Sequence, residues 1–351
     1  MELNNTKKLL NQKFQNGDFD SYGVLVSVNG TSEFLHSQNV DENTYFDIAS
    51  MGKVLVTSTL TLMAIDRKKF TLNSTLKDFF ENVPDDKTNI TVMQLLTHTS
   101  GIIRYEIPSS AAKNGSSAVR DFILATPLSF APGTSQMYSC NGMILLGYIL
   151  EKIYNLPLED IFDKMIKTPL EYTRSKFNIE IDEPNSVICY RSKNLDGLDH
   201  PWDDENIRIL GTSAGSGGQF FTIGDINKFA KAIMNKNPVL YSKSMFDASE
   251  KNYVGNLGEG WGLGWLFVDK NYNQSGELFP VGSFGHCGHT GTSLFFNRKR
   301  NIYAIILTNA TRCLNKKNNF KGYDYNLIEN MRRDIHNAIY DDLNAQGLVT
   351  K

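Results

Sequence analysis

Apolar runs of strand length cluster near the two ends of this chain. Tyr22-Gly23-Val24-Leu25-Val26-Ser27-Val28 is the first, and Asn29-Gly30 after it is a strong hairpin signal. Ser32-Glu33-Phe34-Leu35-His36 is the expected return strand. Strand patterns come back only late. Gly262-Leu263-Gly264-Trp265-Leu266-Phe267-Val268 is one, and residues 283–296 form one long strand or two arms. Asn301-Ile302-Tyr303-Ala304-Ile305-Ile306-Leu307-Thr308 is the last. Helical periodicity frames these strands. Residues 3–15 read as an amphipathic helix, and residues 324–345 place Leu327, Met331, Ile335, Ala338 and Ile339 on one helical face.

The middle differs in character. From about residue 72 to 208 it carries prolines at 84, 108, 127, 132, 157, 169 and 184, among others, with short helical runs between them. Thr91 caps one such run, and Met143-Ile144-Leu145-Leu146-Gly147-Tyr148-Ile149-Leu150 is another. Thr222 caps a further helix, continuing from Asp225 to Met234. Strands at both ends around a helical middle suggest one mixed sheet that unites the termini. The expected division is 1–71 with 209–351 as one α/β domain, and 72–208 as a mostly helical insertion.

The most informative apolar stretch follows Phe46-Asp47-Ile48-Ala49-Ser50-Met51-Gly52-Lys53. From Val54 to about Asp66 it reads as a buried helix. If that helix starts near Ser50, Ser50 and Lys53 lie on one face, one turn apart. A hydroxyl then sits beside an amine at a helix N-terminus, where unpaired N–H groups suit a developing oxyanion. Ser-x-x-Lys occurs three times, at Ser50, Ser74 and Ser110. Ser74 reads as an exposed cap and Ser110 as part of a small-residue loop. Only Ser50 has an apolar, strand-like approach and a long apolar helix behind it. The plain alternative for Ser50 is an N-cap serine.

Composition narrows the classes. The 351 residues are 41% hydrophobic and 21% charged with a formal net charge of −2, so neither nucleic acid nor an anionic membrane is an expected partner. No apolar core of signal-peptide length opens the chain, and no stretch approaches a membrane helix. A cytoplasmic location is the expectation, although a chain trimmed of a leader would read the same and be extracytoplasmic. Cys140, Cys189, Cys287 and Cys313 suggest neither a disulfide framework nor a zinc site. His286-Cys287-Gly288-His289 is not expected to bind metal, because on a strand the two histidines point to opposite faces. Gly211-Thr212-Ser213-Ala214-Gly215-Ser216-Gly217-Gly218 fits no phosphate-loop spacing and reads as a tight turn near a cleft.

Several stretches line up in order: Ser50-Met51-Gly52-Lys53, Leu95-Leu96-Thr97-His98-Thr99-Ser100-Gly101, and Pro132-Gly133-Thr134 with Tyr138-Ser139 and Leu145-Leu146-Gly147. Gly211 to Phe221, Trp261-Gly262-Leu263-Gly264-Trp265 and Gly288-His289-Thr290-Gly291 follow. In this ordered set, over about residues 20–310, the chain resembles the class C β-lactamase family in its broad sense. That family takes in penicillin-binding proteins, D-aminopeptidases, D,D-carboxypeptidases and serine esterases. The resemblance implies an α+β fold, an antiparallel sheet flanked by helices with an all-helical insertion, and an active site between the two.

By resemblance, Ser50 is the acylated nucleophile, Lys53 its partner, and Tyr138 a relay that takes the Ser50 proton and passes it to the leaving group. Acting as bases near pH 7 would require Lys53 and Tyr138 to be tuned as a coupled pair, since free lysine and tyrosine titrate near about 10. His289-Thr290-Gly291 matches the third motif, where many β-lactamases carry lysine. A largely neutral histidine there weakens recognition of a β-lactam carboxylate. Gly291 would let the substrate backbone approach, and the Ser50 and Thr292 N–H groups would form the oxyanion hole. The second motif departs from Tyr-x-Asn: Cys140 stands at the asparagine position, with Asn141 one place later. A thiol is a poor substitute for an amide; alternatively Asn141 turns inward.

The expected function is therefore a serine hydrolase that needs no metal or organic cofactor. It acts on a small-molecule or short-peptide ester or amide, of esterase or D-amino-acid peptidase type, with β-lactams as further covalent ligands. The rivals are a β-lactamase or D,D-carboxypeptidase, and a catalytically weak penicillin-binding or sensor protein. Specificity is expected in the loops 103–118 and 190–206.

Overall fold

The computed structural model describes residues 1–349 except 104–105, 181–182, 188–201, 203, 271, 273 and 320. Cys189 and most of the 190–206 loop lie outside the described residues. The strands are β1 (Tyr22–Val28), β2 (Thr31–His36), β3 (Phe46–Asp47), β4 (Phe220–Phe221), β5 (Leu266–Phe267), β6 (Phe284–Cys287), β7 (Ser293–Asn297) and β8 (Ile302–Thr308). Six of them form one antiparallel sheet in the order β2-β1-β8-β7-β6-β5. The first and last thirds of the chain thus meet at β1 and β8, where Leu25 faces Ile305. The sheet is antiparallel throughout, rather than mixed.

β1 and β8 are buried along their whole length, so apolar residues occupy both faces and the usual polar alternation is lost. Val24, Val26 and Val28 pack with helix α1 (Asn4–Gln15) and the C-terminal helix through Leu10, Ile335 and Ile339. Leu25 and Ile305 turn to the other face, toward Phe229 and Ile233. The two-residue period of a strand sends alternate side chains into two separate cores. Residues 262–268 contribute only a two-residue strand, because Gly264 has φ +91° and sits against Ser58, bending the run.

The stretch after Ile48 is not the single α-helix that periodicity suggests. Ala49–Met51 is a 3₁₀ turn, Lys53–Ser58 a π-helix, and only Thr59–Asp66 (α2) is α-helical. Threonines intervene in the backbone ladder: Thr59 Oγ1 donates to Val54 O at 2.6 Å, and Thr57 Oγ1 reaches across to Gly215 O at 2.8 Å. Helix α3 (Val92–Leu96) is capped by Thr91, and α4 (Cys140–Tyr154) by Ser139. Helices α5 (Glu205–Leu210), α6 (Ile223–Met234, capped by Thr222) and α7 (Asn326–Ala345) complete those used below. Ser110 lies on a short helix, Ser109–Lys113, rather than in a loop. Among the described residues no helix is long and apolar enough to cross a membrane.

Candidate active site

Strand β3 pairs with β4 and delivers the chain to Ser50. Ala49 takes φ +47°, an unfavourable conformation for a side-chain-bearing residue, and its N–H is held by Asp47 Oδ1 at 2.8 Å. Ser50 lies on the wall of a cavity of about 510 Å³. Lys53 is 1% exposed; its Nζ donates to Ser50 Oγ at 3.0 Å and to Ser216 O at 2.5 Å. The glycine-rich turn supplies that second acceptor. Ala214 and Gly217 exchange backbone hydrogen bonds, which aims Ser216 O at Lys53. A Cβ on Gly52 would lie 1.9 Å from Gln219 Oε1, so glycine is required for the turn to pack on the serine segment.

Tyr138 immediately precedes the α4 cap. Ser139 Oγ accepts from Gly142 N at 3.0 Å, and Ser139 N donates to His98 Nδ1 at 3.1 Å. His98 is buried at φ +57°, with its ring 4.7 Å from that of Tyr138 and 4.5 Å from that of Trp261. It braces the Tyr138 segment, a role that sequence reasoning missed although His98 lies within the quoted Leu95–Gly101 stretch. The Tyr138 hydroxyl is buried and makes no hydrogen bond of good geometry among the described residues. Burial drives its pKa well up; the Cys140 thiol adds to this, and the nearby Ser50 hydroxyl opposes it. Tuning toward a base is therefore corrected. Desolvation keeps this phenol protonated near neutrality, as a donor.

Cys140 lines the cavity as the first residue of α4, while Asn141 is buried in the helix and does not line it.

The third motif needs correction. His289 is not on the strand. Strand β6 ends at Cys287, and Gly288–Gly291 form a tight turn in which Gly288 N donates to Thr292 O at 2.8 Å. His289 is exposed at the cavity's outer rim, with Nε2 2.7 Å from Tyr323 Oη and its ring stacked on Tyr325. Thr290 and Thr292 are fully buried behind the turn: their hydroxyls donate to Asp47 O at 2.9 Å and Ile48 O at 3.2 Å. Gly291, at φ +99°, packs against Thr308 instead of facing the cavity. The two threonines tie the turn to the nucleophile segment. The strand histidine facing the site is His286, three positions earlier. Its ring centre lies 6.2 Å from that of Tyr138 and 5.6 Å from that of Trp261.

Burial, then the Lys53 charge, pushes the His286 pKa down to about 3, so the ring is neutral. Its Nδ1 lies 2.7 Å from Cys287 O, which assigns the proton to Nδ1 and leaves Nε2 as an acceptor. Arg332 of α7, fully buried, clasps the turn from behind through Gly288 O and binds Gln274 Oε1 at 2.7 Å. A Cβ on Gly288 would lie 2.4 Å from Ile48 O and 2.1 Å from Thr292 Oγ1. Gly288→Ala is therefore expected to cost about 1–3 kcal/mol and to weaken acylation as well. A denaturant midpoint equal to that of the wild type would show that the turn gives way without cost. Among the described residues no group of His, Cys, Asp or Glu side chains is arranged to hold a metal ion.

The Beta-lactamase family profile matches residues 7–318. The chain belongs to the Beta-lactamase family. It is accordingly a serine hydrolase. A Salmonella typhimurium protein, provisionally named as a D-alanyl-D-alanine carboxypeptidase, is 23% identical over 325 residues, 82% of this chain and 74% of that protein. A class C β-lactamase structure superposes with a TM-score of 0.76 at 19% identity, covering 97% of this chain and 96% of its own. EstCE1, described as a hydrolase with promiscuous acyltransferase activity, does so at 0.73 and 17% identity, covering 95% and 98%. At these identities the structures establish the β-lactamase/transpeptidase-like α+β fold, in agreement with the expectation from the ordered motifs.

Proposed function

We propose that this family member forms an acyl-enzyme on Ser50 with small esters or amides, and that water then releases the acyl group. The observation that carries the reading is the Ser50 hydroxyl held 3.0 Å from the buried Lys53 amine on the wall of a cavity. In this reading it is the uncharged form of Lys53 that takes the Ser50 proton. Tyr138 gives its proton to the leaving group and is reprotonated from the Lys53 ammonium, so the proton taken from Ser50 leaves with the alcohol or amine. The Ser50 N–H is one oxyanion donor. The second is an amide on the cavity side of the β6 turn, which assigns it to His289 N–H in place of Thr292. The site then lies between the unit made of 1–71 with 209–351 and the helical insertion 72–208.

Esterase or D-amino-acid peptidase activity is favoured over efficient β-lactam hydrolysis by two residues. His286 is neutral on the strand beside Ser50, so it offers a β-lactam carboxylate no charge. Cys140 lacks the amide that would bind a substrate amide. A D,D-carboxypeptidase is the second reading, favoured by the name of the Salmonella typhimurium relative.

The test exposes the protein separately to a short p-nitrophenyl ester and a fluorescent penicillin, and maps any adduct by mass spectrometry of peptides. The expected result is rapid nitrophenol release with the acyl group on the Ser50 peptide and little penicillin adduct. A penicillin adduct on Ser50 formed faster than ester turnover would move the assignment to a penicillin-binding enzyme. An adduct on Cys140 or Cys287 would overturn Ser50 as nucleophile.

A further inference from the structure

A buried charge stands directly behind the turn that carries His289. Helix α7 sends Ile328, Met331 and Ile335 into the apolar core, and on the same run Arg332 is fully buried. The acceptors of its guanidinium are all neutral among the described residues: Gly288 O, Gln274 Oε1 at 2.7 Å and Tyr325 Oη at 3.3 Å. The Glu329 carboxylate is one step removed, accepting from Gln274 Nε2 at 2.7 Å. Burying a cation with no counterion against it is costly. An apolar side chain of similar length would pack on the same core without that cost, so the charge serves something other than the fold.

The atom it holds indicates what. Gly288 O and the His289 N–H belong to one peptide group, so a donor on that carbonyl acts on that N–H. Gly291 N already donates to Gly288 O at 3.2 Å and closes the turn. Arg332 adds a charge-assisted bond to the same oxygen. Bonds in such a chain polarise one another: density drawn onto the carbonyl oxygen leaves the amide proton more positive. The peptide is also pressed against the nucleophile segment, since a Cβ on Gly288 would meet Ile48 O. The charge is felt inside the cavity as well. After burial and Lys53, Arg332 is a further group holding the His286 pKa down.

We propose that Arg332 is a positioning residue for acyl transfer: through Gly288 O it fixes the Gly288–His289 peptide and polarises the His289 N–H toward the oxyanion that forms when Ser50 attacks. The proposal rests on the reading of Ser50 as nucleophile and His289 N–H as second oxyanion donor, and adds a residue that does not itself line the cavity. Its effect grows as negative charge develops on the substrate carbonyl oxygen, which places it in kcat rather than in KM.

The test reads the peptide and the rate separately. Gly-His occurs twice in the chain, at Gly285-His286 and Gly288-His289. Protein labelled at the glycine carbonyl carbon and the histidine amide nitrogen therefore gives two carbonyl–amide correlations by NMR, and the first is the strand control. In Arg332→Met the Gly288 and His289 resonances are expected to move upfield while the Gly285 and His286 pair moves little. With a short p-nitrophenyl ester, kcat is expected to fall about tenfold at nearly unchanged KM, because acylation and deacylation both use the oxyanion donors. Arg332→Lys, which keeps the charge and loses the planar fork, is expected to recover most of both changes. Where Arg332→Met does not fold, the neutral donor Arg332→Gln takes its place. Unmoved Gly288 and His289 resonances overturn the polarisation. Moved resonances with an unchanged kcat overturn the positioning role and leave the hydrolase standing. A lysine variant as slow as the methionine variant makes Arg332 a mere clasp on the turn and overturns the proposal too. Resonances that move as expected in a protein whose Ser50 is never acylated support the polarised peptide and overturn the hydrolase reading.

Discussion

Replacing Ser50 by alanine is expected to lower turnover of an activated ester by about four to six orders of magnitude, the range seen when a covalent nucleophile is removed. The fold should hold. Ser50 is only partly buried, and its hydroxyl accepts a hydrogen bond from Lys53 Nζ. Lys53 retains Ser216 O as acceptor in the variant, so no new unpaired group is created there. Thermal midpoints within about 2 °C of the wild type would accompany the loss, since a change of this kind costs a few tenths of a kcal/mol. Steady-state turnover with burst kinetics for both proteins is the measurement. A variant that keeps more than about a hundredth of the activity would place the covalent step elsewhere, and Cys140 and Cys287 on the same cavity would be the groups to examine. Lys53→Met should show a smaller but still large loss, because the amine acts on Ser50 while the oxyanion donors remain.

The juxtaposition of Ser50 and Lys53 was legible from a three-residue spacing inside an apolar run, and it survives a backbone that is 3₁₀ and then π-helical. The two are joined through the 3₁₀ turn, in which side chains three apart eclipse. The sheet was legible at its centre, where β1 and β8 are long and mostly apolar. It was not legible at its edge, where Gly264 interrupts residues 262–268 and leaves only β5. The third motif was misplaced for a definite reason. His286-Cys287-Gly288 and His289-Thr290-Gly291 stand in tandem, and both read His-x-Gly. Only pairing settles which is on the strand: Cys287 is opposite Ser293, and the chain turns immediately after it. His98 was hidden differently. Its work is done through Nδ1 and its own carbonyl on the backbone of Ser139 and Met137, contacts that carry no periodic signal. Its left-handed φ, next to Gly101 at φ +77°, belongs to a turn whose Thr-Ser-Gly composition was the visible clue.

Stability is expected to fall steeply on mild acidification, because three of the six histidines are buried and neutral. Burial pushes His286 to about 3 and His336 to about 4, and holds His98 well below its ordinary value, with Lys53 and His286 adding to the effect. In the unfolded chain each takes up a proton below about pH 6.5, whereas the folded protein does not. The unfolded state then binds more protons, so unfolding becomes easier as pH falls from 6.5 toward the folded values of the three groups. Each contributes up to about 1.4 kcal/mol per pH unit in that window, or about 4 kcal/mol for His286 and His336 together between pH 7 and pH 5, and His98 acts in the same direction. That is comparable with the whole stability of a typical domain. Glu151 and Glu259 act in the opposite direction: burial raises both, so the folded state takes up their protons first and offsets part of the loss near pH 5. Urea midpoints at pH 7.5, 6.0 and 5.0 measure the slope. His336 isolates one contribution away from the cavity, since its ring packs edge-on against Phe279 and Phe295. His336→Phe should remove about a third of the slope. A profile flat between pH 7 and 5, or unchanged by His336→Phe, would mean that the folded protein accommodates imidazolium at these sites, and the neutral His286 acceptor beside Ser50 would have to be abandoned with it.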